Sequence, residues 1–192
     1  MKIASDKTYL EKIKNFFVKN NWEPLPFQIE SWEAYLNGEN GIIQVPTGCG
    51  KTYAALMGPL SILGDKKINP GLNILIITPL KALSRDLKNS INLASQHFDE
   101  KITVGIRNGD TSPYEKKNQI LKTPNILITT PESLSLLISN KESKKIFSNL
   151  FSIIIDEWHE LMGSKRGNQC ELSLSWLRGN IKNLQIWAMS AT

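Results

Sequence analysis

The sequence predicts an α/β domain: a mostly parallel sheet with helices on both faces. Three observations carry this. Residues 73–77 and 151–155 are apolar at nearly every position, which is how strands buried on both faces read. Segments of strand character alternate with segments of helical periodicity, the pattern of β–α units feeding a parallel sheet. Residues 41–45 form a short apolar run that passes through a glycine-rich turn into helix-forming sequence. The chain has 192 residues, 41% of them hydrophobic, enough for one domain with a core.

Taken in order, residues 5–20 read as a helix. Ser5 or Asp6 can cap it, and Leu10, Ile13, Phe16 and Phe17 form one apolar face. Pro24 and Pro26 break the chain. A second helix starts near Phe27, buries Ile29, Trp32 and Leu36, and stops at Gly38. Strands are then predicted at 41–45, 73–78, 102–106, 125–129, 151–155 and 184–189. Helices are predicted at 51–63, 80–97, 113–121, 131–139 and 168–178.

Composition narrows the class. The net charge of +5 is compatible with a polyanionic partner without identifying one. Cys49 and Cys170 lie far apart with no metal-ligand spacing, so free thiols in a reducing compartment are expected. The N-terminus lacks the apolar core of a signal peptide. No run approaches the ~18–20 apolar residues of a membrane span. The expectation is a soluble cytoplasmic protein with no membrane association.

The chemistry gathers at predicted strand ends, where ligands of parallel sheets bind. In Val45-Pro46-Thr47-Gly48-Cys49-Gly50-Lys51-Thr52, Gly48 and Gly50 let the backbone turn its N–H groups toward an anion at a helix start. Lys51 brings a full charge to β- and γ-phosphates, and Thr52 a hydroxyl to Mg²⁺. Val45 departs from the usual Gly or Ala of the first position. Strand 151–155 ends in Asp156-Glu157-Trp158-His159. Asp156 can hold Mg²⁺, and Glu157 can orient and deprotonate a water. The two segments together point to nucleoside triphosphate hydrolysis. Gln28 precedes the phosphate loop, where its amide either pairs with adenine or is an ordinary surface group. Thr78-Pro79-Leu80-Lys81 and Thr130-Pro131-Glu132-Ser133 are matched turns with Pro at the first helical position. They serve as good helix starts or as sugar-phosphate contacts.

In this order, Gln28, 46–52, 78–83, 130–133, 156–159 and Ser190-Ala191-Thr192 resemble the Q motif and motifs I, Ia, Ib, II and III of superfamily 2 helicases. The likeness spans residues 22–192. Asn108-Gly109-Asp110-Thr111-Ser112 and the run 156–169, with Trp158 followed by Gly163-Ser164-Lys165-Arg166-Gly167, resemble the Lhr (large helicase-related) family, in its ligase-associated DEXH-box branch. Met189 stands where that family has Leu. The resemblance implies an N-terminal helical part with the Q motif at 1–40 and a RecA-like P-loop domain at 41–192. It implies ATP and Mg²⁺ as cofactors, bound by Gln28, Thr47, Gly48, Cys49, Gly50, Lys51, Thr52 and Asp156. Lys51, Asp156, Glu157 and His159 would be the catalytic set. His159 with Ser190, Ala191 and Thr192 would couple nucleotide to nucleic acid. Thr78, Pro79, Lys81, Asp110, Thr111, Thr130, Pro131 and Ser133 would line the track of one strand. Arg166 would join them or be a solvated loop residue.

The implied activity is ATP-dependent 3′-to-5′ translocation on single-stranded DNA in DNA repair, beside a ligase or nuclease. An RNA helicase, another superfamily 2 translocase such as a restriction-type one, or a non-motor nucleic-acid- or ATP-binding module are the alternatives. The sequence stops at Thr192, the last residue of motif III, whereas family members continue into a second RecA-like domain and C-terminal domains. The expectation is an N-terminal fragment that binds ATP weakly, turns it over little and does not unwind alone.

Overall fold

The computed structural model describes residues 6–65 and 70–191. Ser5, one of the two expected helix caps, and Thr192 lie outside them. In chain order the helices are α1 (Asp6–Lys19), α2 (Pro26–Leu36), α3 (Lys51–Asp65), α4 (Ser84–Phe98), α5 (Pro113–Leu121), α6 (Pro131–Ile138), α7 (Ser143–Ile146), α8 (Trp158–Leu161) and α9 (Lys165–Asn180). The strands are β1 (Gly41–Gln44), β2 (Ile74–Ile77), β3 (Val104–Arg107), β4 (Ile126–Thr129), β5 (Ser152–Ile155) and β6 (Gln185–Ser190).

The strands form one sheet in the order β1-β6-β5-β2-β4-β3, and every neighbouring pair is parallel. The doubly apolar runs explain themselves in the packing. Ile74, Ile76, Ile128, Ile154 and Met189 point to a core shared with α1–α4. Leu75, Ile77, Leu127, Ile153 and Ile155 point to the opposite core, shared with α6, α7 and α9. Successive residues of a strand face opposite sides, so both phases must be apolar when both faces are covered.

Several boundaries differ from expectation, each for a local reason. Strand β3 starts at Val104 rather than residue 102, because the Thr103 N–H is taken by the Asn125 side chain at 3.1 Å. The helix expected from residue 80 begins as a 3₁₀ turn, Lys81–Leu83, and becomes α-helical at Ser84. Helix α9 starts three residues earlier than predicted. Helices α7 and α8 have four residues each, too few to show a periodicity in the sequence. Among the described residues, no helix is long and apolar enough to cross a membrane.

Candidate nucleotide and nucleic-acid site

The ends of β1, β5 and β2 bring the phosphate loop and the acid pair together. The loop leaves β1 and enters α3 at Lys51. Gly48 and Gly50 have φ of +82° and +81°, a region that L side chains rarely adopt. A Cβ on Gly50 would also lie 2.6 Å from Gln28 Nε2. Thr47 and Gly48 are exposed, and Cys49 is half-buried with a free thiol.

Lys51 is 8% exposed, and its Nζ makes no hydrogen bond among the described residues. Its nearest acid is Glu157, with Oε1 at 3.9 Å, too far for a hydrogen bond. A buried ammonium left so is costly unless a ligand completes it. An anion in the glycine turn fits that requirement.

Asp156 continues β5 by donating its N–H to Ile77 O at 2.8 Å. Burial first, and the neighbouring Glu157 carboxylate second, push its pKa up to about 6; Lys51 and the Thr78 hydroxyl pull the other way. Such a carboxylate suits a cation. Thr52, on the first turn of α3, and Asp156 are the residues that fit Mg²⁺. An ion of this type usually keeps waters and takes phosphate oxygens besides one or two protein groups. Glu157 adopts φ 45° and ψ 51°, left-handed backbone in a residue type that seldom enters it. Backbone of this kind costs of order 1–3 kcal/mol and clusters at functional sites. It turns the chain sharply between β5 and α8.

His159 joins three parts. Its Nδ1 lies 3.1 Å from Ser190 Oγ and 3.4 Å from Glu157 Oε2, and its Nε2 lies 3.5 Å from Glu160 Oε1. Ser190 in turn accepts from the Val45 N–H at 3.2 Å through its carbonyl. Hydrogen bonds thus join His159, the end of β6 and the phosphate loop, while Glu157 Oε2 lies close to His159 without a hydrogen-bond partner among the described residues. Ala191 follows directly.

Gln28 is tied into the local structure. Its Oε1 accepts from the Leu25 N–H at 2.9 Å and its Nε2 donates to Gly50 O at 3.0 Å. The side chain is 3% exposed. In this arrangement the amide caps α2 and straps it to the phosphate loop, with one Nε2 hydrogen and one Oε1 lone pair engaged. Trp32 adds a second strap, donating from Nε1 to Tyr53 O at 3.0 Å.

A model of the DEAD/DEAH box helicase family matches residues 25–192. The chain belongs to that family. A curated relative, the Lhr helicase/probable uracil glycosylase of Mycolicibacterium smegmatis, is 36% identical over 166 residues, covering 80% of this chain and 11% of the relative. The ATP-dependent helicase Lhr-Core of Sulfolobus acidocaldarius is 38% identical over 140 residues, covering 68% of this chain and 16% of the relative. Among solved structures, that of Mycobacterium smegmatis helicase Lhr bound to ssDNA and AMP-PNP superposes with a TM-score of 0.86 at 32% identity, over 94% of this chain and 24% of that one. The chain thus spans between about a tenth and a quarter of the length of these relatives. The expected superfamily, the Lhr likeness and the RecA-like fold all stand.

On the expected nucleic-acid side of this helicase chain, the structure divides the candidates. Thr78 is fully buried, and Pro79, Thr130, Pro131 and Ser133 are also buried. Thr130 Oγ1 accepts from the Ser133 N–H and caps α6, with Pro131 at the first helical position. Thr78 differs: its Oγ1 accepts from the Leu80 N–H at 3.4 Å, and Pro79 precedes the helical turn. The two turns are therefore not matched in structure, and each hydroxyl makes a local bond to its own turn.

Lys81 is exposed and pairs with Asp110 at 3.0 Å. Asp110 is itself exposed, and its carboxylate holds the Lys81 ammonium. Thr111 braces the same loop, accepting from the Asn108 N–H at 3.0 Å. Arg166 is not on a loop. It stands on the first turn of α9, paired with Glu132 on the first turn of α6. Glu132 is a residue of this contact that sequence reasoning misses. The signal available was an acid inside a turn otherwise suited to phosphates.

Proposed function

We propose that this chain is the ATP-binding lobe of an ATP-dependent helicase or translocase acting on single-stranded DNA. The observation that carries the reading is Lys51: a buried ammonium without a hydrogen bond among the described residues, set behind a glycine turn and beside Glu157. A β- or γ-phosphate of ATP would complete it. The backbone of residues 47–50 would cradle the phosphates, and Thr52 and Asp156 would hold Mg²⁺, which would supply charge neutralisation on the phosphate oxygens. Glu157 orients the attacking water and takes its proton at a carboxylate oxygen. His159 and Ser190 relay changes at Glu157 toward the end of β6 and the Val45 amide.

Lys81 offers an exposed, aimed cation to the nucleic-acid backbone. Single-stranded DNA is favoured because the similar Lhr structure was solved with ssDNA and AMP-PNP. Backbone contacts carry little base information, so RNA is the second reading. ATPase stimulation by single-stranded DNA against RNA of the same length separates the two. The family resemblance alone supports 3′-to-5′ travel, the ligase-associated branch, a role in DNA repair with a ligase or nuclease, and a cytoplasmic location. In the intact protein, Lys51→Ala should abolish DNA-stimulated ATP hydrolysis. Hydrolysis near the parent level in that variant would reject the assignment.

A further inference from the structure

Arg166 and Glu132 meet across 34 positions of sequence through a two-pronged contact. Arg166 Nε donates to one carboxylate oxygen and Nη2 to the other, the second at 3.4 Å. Both residues sit on helix first turns, Arg166 on α9 and Glu132 on α6. The geometry around Arg166 is tightly set. Ser164 caps α9 by accepting from the Gly167 N–H at 3.0 Å, and it donates to Leu161 O at 2.7 Å. A Cβ on Gly167 would lie 1.9 Å from that same carbonyl oxygen, so only glycine lets α9 start this close to α8. The Gly163-Ser164-Lys165-Arg166-Gly167 run thereby delivers the guanidinium from the acid-pair segment to α6.

Glu132 creates a problem that this placement solves. A carboxylate on the first turn of α6 suits the helix dipole. It also puts a negative charge on a face expected to receive sugar-phosphate. Arg166 is the cation paired with it, and it holds the Glu132 carboxyl below the usual range against the opposing effect of burial.

We propose that Arg166 supports single-stranded nucleic-acid binding through Glu132, by cancelling and orienting its charge, rather than by touching a phosphate. Arg166 is then a positioning residue. The inference rests on the helicase reading above and adds a role that the motif pattern does not give.

The two ideas separate in one set of measurements on the intact protein, using a fluorescent oligothymidylate as the probe. Arg166→Gln should weaken binding about fivefold when Glu132 is present, the upper range for a partly exposed ion pair. In a Glu132→Gln background, the same change should cost less than twofold, and the double variant should bind within twofold of the parent. The slope of log affinity against log salt should be unchanged by Arg166→Gln. The KM for ATP should move less than twofold, which a general loss of structure would not allow. A loss of equal size in both backgrounds, or a salt slope reduced by about 0.7, would show a direct phosphate contact and overturn the proposal. A parent protein that fails to bind the oligonucleotide at all would overturn the helicase reading and this inference with it.

Discussion

Replacing Asp156 by Asn should make the ligand-free protein more stable while removing its Mg²⁺-dependent activity. Asp156 is half-buried beside Glu157, and its pKa is raised from 3.8 to about 6. A raised carboxyl pKa means that the ionised form is disfavoured in the folded state. Below pH 3.8 the group is protonated folded or unfolded, and no penalty exists. As pH rises from there through about 6, the penalty grows, and above it is complete. Two pKa units correspond to roughly 3 kcal/mol, the ceiling on what the neutral amide can recover. At ~2–4 °C per kcal/mol for a domain of this size, a rise in Tm at pH 7.5 is expected, up to about 6–12 °C. Differential scanning fluorimetry of the two proteins from pH 7.5 to 4.5 is the assay. The gap should shrink as pH falls, and adding Mg²⁺ with a nucleotide should narrow it by stabilising only the parent. A variant no more stable at pH 7.5, or a gap independent of pH, would refute the electrostatic reasoning.

Three further outcomes follow from the geometry. Glu157→Gln should keep nucleotide affinity within about threefold while slowing hydrolysis ~10²-fold or more, since a general base contributes ~10²–10⁴-fold; equal losses in binding and turnover would remove Glu157 from the base role. Gly167→Ala forces a Cβ to within 1.9 Å of Leu161 O, and should lower stability by ~1–3 kcal/mol; an unchanged denaturation midpoint would show that α8 and α9 separate freely. Gln28→Ala removes the strap to Gly50 and should weaken ATP and GTP alike, whereas a loss confined to ATP in parallel titrations would show that Gln28 reads adenine.

Much of this arrangement is legible in the sequence because local patterns specify it. The buried strands announce themselves, since β2 and β5 need apolar side chains in both phases. The phosphate loop is equally plain: Gly48 and Gly50 take positive φ where the pattern places them. What the sequence hides is pairing over distance. Nothing at Gln28 says that its amide turns inward to Gly50, and nothing at Arg166 says that Glu132 will meet it. The turns at Thr78 and Thr130 look alike as letters, yet one threonine caps a helix and the other braces an extended residue. The difference lies in what the chain does next, through a 3₁₀ turn after Leu80 and directly into α6 after Thr130. The short helix α8 follows from the left-handed backbone at Glu157, a conformation that residue type does not forecast.

The central claim is that the turn at residues 45–52 is an ATP site completed by Lys51. The most direct test is a titration of this chain with AMP-PNP and Mg²⁺, for the parent and for Lys51→Ala, with Tm followed in parallel. The account predicts saturable binding in the parent and loss of binding in the variant. It also predicts that the variant keeps or gains thermal stability, because a buried ammonium without a hydrogen bond among the described residues has been removed. Equal AMP-PNP binding by the two proteins would contradict it.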